Sequence, residues 1–98
     1  MRFVQTIEFK TSRIDEINQL LDEWLASSEG NRIPTSGLMT RDRDRDDTYV
    51  QIVEFPSYEE AMANSNRAET NAFAERMAKL CDGPAVFRNL DVVREDDF

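Results

Sequence analysis

The sequence predicts an α+β fold: a four-stranded antiparallel sheet in the chain order β-α-β-β-α-β, with two helices on one of its faces. Three observations predict it. Four short segments carry β-branched and aromatic residues in the alternating pattern of half-buried strands. Two longer segments between them carry apolar residues at helical spacing. The passage from strand to helix is marked both times by a capping-box pair, Ser12 with Asp15 and Ser57 with Glu60.

The elements follow in order. Residues 3–9 place Phe3, Ile7 and Phe9 at odd positions, with Gln5 interrupting them, and form the first strand. Ile14, Ile17, Leu20, Leu21, Trp24 and Leu25 then fall on one stripe of a helix, and Gly30 fits just beyond its end. Residues 31–37 lead into a second strand over residues 35–41. The run RDRDRDD at residues 41–47 alternates in sign, neutralises itself locally, and reads as the solvated turn of a hairpin. The third strand, residues 48–55, holds Tyr49, Val50, Ile52, Val53 and Phe55, and Pro56 stops it because proline cannot donate to a sheet ladder. A second helix starts at Tyr58 and falters at Asn64, Ser65, Asn66 and Asn71, with Asn66 and Glu69 as a further capping pair where it restarts or kinks. Its second half carries Phe73, Met77, Leu80 and Cys81 at helical spacing, and Asp82-Gly83-Pro84 ends it. A last strand covers residues 85–93, and the acidic tail 94–98 reads as frayed. The halves repeat strand, capping box, helix, strand, which is the split-βαβ, ferredoxin-like arrangement. Ninety-eight residues without an evident linker make a single domain over residues 1–98.

Composition narrows the chemistry. The net charge of −8, from 20 acidic and 12 basic residues, opposes binding to phosphate-rich nucleic acid or an anionic membrane surface. No apolar run approaches the ~20 residues that span a bilayer. The N-terminal segment MRFVQTIEFK alternates too strongly for a signal peptide. A single cysteine, Cys81, allows no intrachain disulfide, and a reducing cytoplasm is the simplest location. The chain contains no histidine. That removes Ser/His and Cys/His nucleophile pairs and histidine ligation of zinc, iron or haem. No EF-hand spacing appears either, so the expectation is a protein without metal or cofactor.

Helices cover one sheet face only, yet both faces of every long strand carry apolar residues. Val4, Val50, Ile52, Val86, Leu90 and Val92 fall on one set of alternating positions, and Phe3, Ile7, Phe9, Tyr49, Val53 and Phe55 on the other. An apolar sheet face left in water marks an interface, and a two-fold pairing of sheets hides both copies at once. A homodimer through the sheet faces is therefore expected.

The element order, the junction YVQIVEFPSYEEA, the helix segment NRAETNAFAERMAKL and the closing strand VFRNLDVV resemble the dimeric α+β barrel superfamily, in particular its antibiotic-biosynthesis-monooxygenase-like group. The resemblance spans nearly the whole chain and rests on residue type. It implies a dimer of ferredoxin-like subunits, with a ligand cavity between sheet and helices. It also implies activities that range from cofactor-free oxidation of phenols or quinols to haem breakdown, with many members of unassigned activity. Phe55 stands where the group often has tryptophan. The histidine that haem-degrading members need on the second helix is missing, which disfavours haem degradation. No catalytic residue carries over by motif.

The candidates for a ligand pocket come from residue type and position. Trp24 reads first as core and second as an aromatic wall. Asn64 and Asn71 (with Asn66) sit where the second helix falters and can orient a phenol or enol oxygen. Gln5 and Gln51 interrupt apolar strand faces, so their amides need each other or a ligand as partners. Phe55, Tyr58 as a phenolic donor, and Arg67 as a holder of an anionic group complete the set. Two functions from different classes follow. One is a cofactor-independent monooxygenase acting on a small aromatic substrate. The other is a non-catalytic dimer that binds a small ligand or serves a partner enzyme.

Overall fold

The computed structural model describes residues 2–98. The elements are β1 (Phe3–Lys10), α1 (Ile14–Ser27), β2 (Ser36–Arg41), β3 (Thr48–Phe55), α2 (Tyr58–Ser65), α3 (Ala68–Ala78) and β4 (Val86–Asp91). The four strands form one antiparallel sheet in the order β2-β3-β1-β4. This is the expected ferredoxin-like sheet, with three helices rather than two. None of them is long and apolar enough to cross a membrane.

The extra helix comes from the faltering segment. Ser65 turns its hydroxyl back to the Ala61 carbonyl (3.1 Å), and the Asn66 backbone N–H closes the last turn on Met62 and Ala63. Arg67 is extended, with φ −76° and ψ 141°, so the chain leaves the helix for one residue before α3 begins. The Asn66–Glu69 pair expected to cap the restart does not form, because Arg67 occupies the cap position and no side chain bonds the free amides. The first capping box is also corrected. Arg13, not Ser12, precedes α1 and caps it without a side-chain bond, while Thr11 Oγ1 accepts the Arg13 backbone N–H at 3.0 Å. At the second junction the Ser57 half of the expected capping box forms: Ser57 Oγ accepts the Glu60 backbone N–H at 3.2 Å.

Register settles the faces. Phe3 pairs with Phe55, Ile7 with Gln51 and Phe9 with Tyr49, so the odd positions of β1 and β3 share the helix-covered face. Met39 of β2 lies opposite Gln51, and Phe87 of β4 opposite Ile7, on that same face. Two separate cores hold the helices to it. One gathers Phe9, Ile17, Leu20 and Met77. The other gathers Phe3, Phe55 and Ala61, with Tyr58 edge-on to Phe3 at 5.5 Å. Phe3 and Phe9 stand about 20 Å apart along the strand, so the two cores sit at opposite ends of the sheet. The opposite face carries Val4, Val50, Ile52, Leu38, Val86 and Leu90, and no helix packs on it; Leu38 is 63% exposed.

The hairpin turn is tied rather than loose. Asp42 accepts the Asp44 backbone N–H and the Arg45 guanidinium, and Arg45 reaches across to Glu8 of β1 at 3.1 Å. The Arg45 hydrogen bond holds the Glu8 carboxyl below its ordinary range. Asp47 takes the left-handed conformation (φ 56°), and its carbonyl accepts the Thr11 backbone N–H at 2.9 Å.

Thr11 is fully buried and joins three parts of the chain. Besides Asp47 and Arg13, its hydroxyl donates to the Leu80 carbonyl at 2.6 Å, fixing the end of the α3 segment to the end of β1. Thr11→Val keeps the shape and removes the hydroxyl, leaving the Leu80 carbonyl and the Arg13 amide without it. A loss of about 2 kcal/mol is expected, or roughly 10 °C in Tm for a domain of this size. A melting temperature equal to the parent's would show that the bridge contributes nothing.

Candidate functional site

Between the two cores the sheet face and the helices enclose an open space. The strand positions at that level include Gln5 on β1 and Gln51 on β3, whose amides interrupt the apolar face. The result is a cavity of about 1120 Å³ between sheet and helices, slightly above the ~300–1,000 Å³ common for ligand sites. Its lining reaches both edges of the sheet, from Pro34–Met39 on the β2 side to Gly83–Ala85 and Phe87 on the β4 side. The floor is Gln5, Ile7, Gln51, Val53 and Phe55. The roof is Leu21, Trp24 and Leu25 of α1 with Phe73, Ala74 and Met77 of α3.

Of the candidates from sequence, the structure gathers Gln5, Trp24, Gln51, Phe55, Asn64 and Asn71 around this one space. Gln5 and Gln51 share the face but do not bond each other; Gln5 Nε2 donates to Asn89 on β4 at 3.2 Å. The amides of Gln51, Asn64 and Asn71 make no hydrogen bond among the described residues, and no buried side-chain polar atom there is left unpartnered, so these amides are open to solvent or to a ligand. Trp24 tilts against Phe73 with ring centroids 6.2 Å apart, and the two rings form one aromatic wall.

Tyr58 and Arg67 lie elsewhere. Tyr58 starts α2 and spends its ring on Phe3, outside the cavity lining. Arg67, at the break between α2 and α3, donates to the Asn31 carbonyl at 2.8 Å and to Glu69 at 3.1 Å. That accounts for it structurally: it ties the helix break to the loop after α1.

Several polar residues at the cavity escaped the sequence reading, among them Asn18, Asp22 and Arg32. Asn18 falls at positions i, i+3 and i+7 with Leu21 and Leu25, so helical arithmetic places it on the cavity flank of α1. Asp22 lies on the same flank. Arg32 is in the loop after α1, where no periodicity points to it, and its guanidinium stands 5.8 Å from the centre of the Trp24 ring. Cys81 also borders the space. Burial, with Asp82 nearby, pushes its thiol pKa up, so it is protonated and weakly nucleophilic at neutral pH. Among the described residues no group of three or more His, Cys, Asp or Glu side chains converges as a metal site would.

No protein-family model matches the chain, and no curated protein sequence matches it significantly. Solved structures do share its fold. SnoaB, a cofactor-independent oxygenase from Streptomyces nogalater, superposes with a TM-score of 0.78 at 13% identity, over 96% of this chain and 95% of that one. Rv0793 from Mycobacterium tuberculosis gives 0.77 at 12% identity, over 99% and 100%. A proposed antibiotic biosynthesis monooxygenase from Caulobacter crescentus CB15 gives 0.79 at 16% identity, over 95% and 91%. The likeness seen in the sequence holds at the level of the fold.

Gln51 is the residue that most directly separates stability from binding. Gln51→Leu places an aliphatic group beside Ile7 and Met39 and removes an unpartnered amide from the apolar floor. Because the amide is hydrated rather than buried, thermal denaturation should show a change within about 0.5 kcal/mol, while an aromatic probe such as 1-naphthol should bind more weakly. A variant destabilised beyond that range, or one that binds the probe as before, contradicts this role.

Proposed function

We propose that the protein is a cofactor-independent monooxygenase that oxidises a small phenol or quinol in the cavity between sheet and helices. The observation that carries this is the cavity itself: large, mainly apolar, walled by Trp24 and Phe73, and lined by the Gln51, Asn64 and Asn71 amides, which have no hydrogen-bond partner among the described residues. The fold shared with a cofactor-independent oxygenase supports the same reading.

The chemistry asks little of the protein. An electron-rich phenol, once ionised, can itself reduce dioxygen. A carbon–oxygen bond forms at the ring, and the resulting hydroperoxide loses water as its O–O bond breaks. One oxygen atom of O₂ ends in the quinone and the other in water, so the substrate supplies all the electrons. The protein binds the ring and orients it. In this reading Asn18, Asn64 and Asn71 donate hydrogen bonds to the phenolic oxygen and to the peroxide. Trp24, Phe73 and Phe55 hold the ring plane.

The reading includes a homodimer. The open sheet face exposes Leu38, Val86 and Leu90 beside Val4, Val50 and Ile52, and a second copy of the same face would cover them. Sedimentation should return twice the chain mass.

Oxygen consumption with a panel of naphthols and hydroquinones tests the activity. Uptake above the uncatalysed rate, with quinone and water as products, is expected. Asn64→Ala should lower kcat by about 10²-fold or more, the usual effect of losing a donor to developing negative charge. If no member of the panel is oxidised faster than in buffer although it binds, the protein is a ligand-binding or accessory dimer instead.

A further inference from the structure

Arg32 is the only basic side chain lining the cavity among the described residues. Its surroundings differ from those of most arginines in this chain. Arg2, Arg13, Arg45, Arg67, Arg76, Arg88 and Arg94 each have a carboxylate partner. Arg41 and Arg43 belong to the exposed hairpin arm. Arg32 has no ion pair among the described residues, in a chain that carries 20 acidic side chains. It rests against the Trp24 ring instead, at 5.8 Å from the centroid.

That contact leaves every guanidinium N–H without a carboxylate, at the edge of an aromatic wall. A planar ring seated against Trp24 and Phe73 brings its substituents within range of those donors. Guanidinium prefers an oxyanion there, because charge-assisted and bidentate hydrogen bonds are about twice as strong as neutral ones. Asp22 and Glu75 also border the cavity, and among the described residues neither forms an ion pair with Arg32. Their charges, with the net charge of −8, disfavour an anion in this space, and among the described residues Arg32 is the one cation lining it that can offset them. Arg67, the residue that sequence singled out for this task, is already held by Glu69 and the Asn31 carbonyl.

We propose that Arg32 selects planar aromatic ligands that carry a negatively charged oxygen, seated with the ring against Trp24 and the oxyanion on the guanidinium. This rests on the cavity being the ligand site proposed above. It also supplies what a chain without histidine needs: a fixed positive charge that favours the ionised form of a phenol without a general base.

Calorimetry with 2-naphthoate and 2-naphthamide, which match in shape and differ in charge, provides the test. The parent protein should bind naphthoate about tenfold more tightly. Arg32→Gln should abolish that preference while still binding naphthamide, and Arg32→Lys should restore part of it. Trp24, the one tryptophan in the sequence, reports by its fluorescence that the probe reaches the cavity. Bound 2-naphthol showing its naphtholate absorption in the parent, and not in Arg32→Gln, identifies a phenolate as the oxyanion. Absence of that band, with the naphthoate preference intact, identifies a carboxylate. Equal affinity for the two probes, or a preference that survives in Arg32→Gln, overturns the role of Arg32 alone. Failure of all three probes to bind overturns the cavity as a ligand site and this role with it.

Discussion

Two glutamines on the inward face of the sheet set the architecture of this molecule. A helix-covered sheet face is ordinarily apolar along its length, so that helices close down on it and exclude water. Here Phe3 and Phe55 close one end and Phe9 and Tyr49 help close the other, while Gln5 and Gln51 hold amides at the level between. Burying those amides without partners would cost on the order of 1–3 kcal/mol each. The helices instead bridge the gap, anchored by the two end cores, and the amides lie in the floor of the cavity between them.

The division of α2 from α3 serves the same geometry. Ala61 of α2 packs in the Phe3–Phe55 core, and Met77 of α3 packs in the Phe9–Ile17–Leu20 core. One continuous straight helix would have to satisfy both cores with a single axis. The break at Asn66–Arg67 releases that constraint and leaves Asn64 and Asn71 beside the opening. Arg67 then fastens the break to Asn31, immediately before Arg32, so the same loop that steadies the helices presents the free guanidinium.

Most of this fold was legible in the chain. The alternation in β1 and β3, the helical stripe of α1, and the Pro56-Ser57 junction each combine a period with a stop signal, and those are local properties. Strand ends moved by a residue or two, and two capping pairs failed. At the first, Thr11 already bonds the Arg13 amide; at the other, Arg67 is extended at the cap position. The cavity was legible only in part. Gln5 and Gln51 announced themselves as polar breaks in an apolar face, and Trp24 as a large ring on a stripe. Nothing local says that Leu21 and Leu25 roof a space rather than fill it. Arg32 was invisible because a loop has no period, and its significance lies in the ion pair it lacks. Tyr58 and Arg67 drew attention by residue type, and only the packing on Phe3 and the bond to Asn31 reveal their use.

The central claim is that the space between the two cores receives an aromatic ligand. A ¹H–¹⁵N NMR titration of the protein with 1-naphthol tests it most directly, since side-chain amides and the Trp24 indole N–H each give their own signal. Saturable shifts are expected at Gln51, Asn64, Asn71 and Trp24, with the open-face strand residues Val4 and Ile52 much less affected. Shifts confined to the open sheet face, or no saturable shift at these cavity amides, would contradict it.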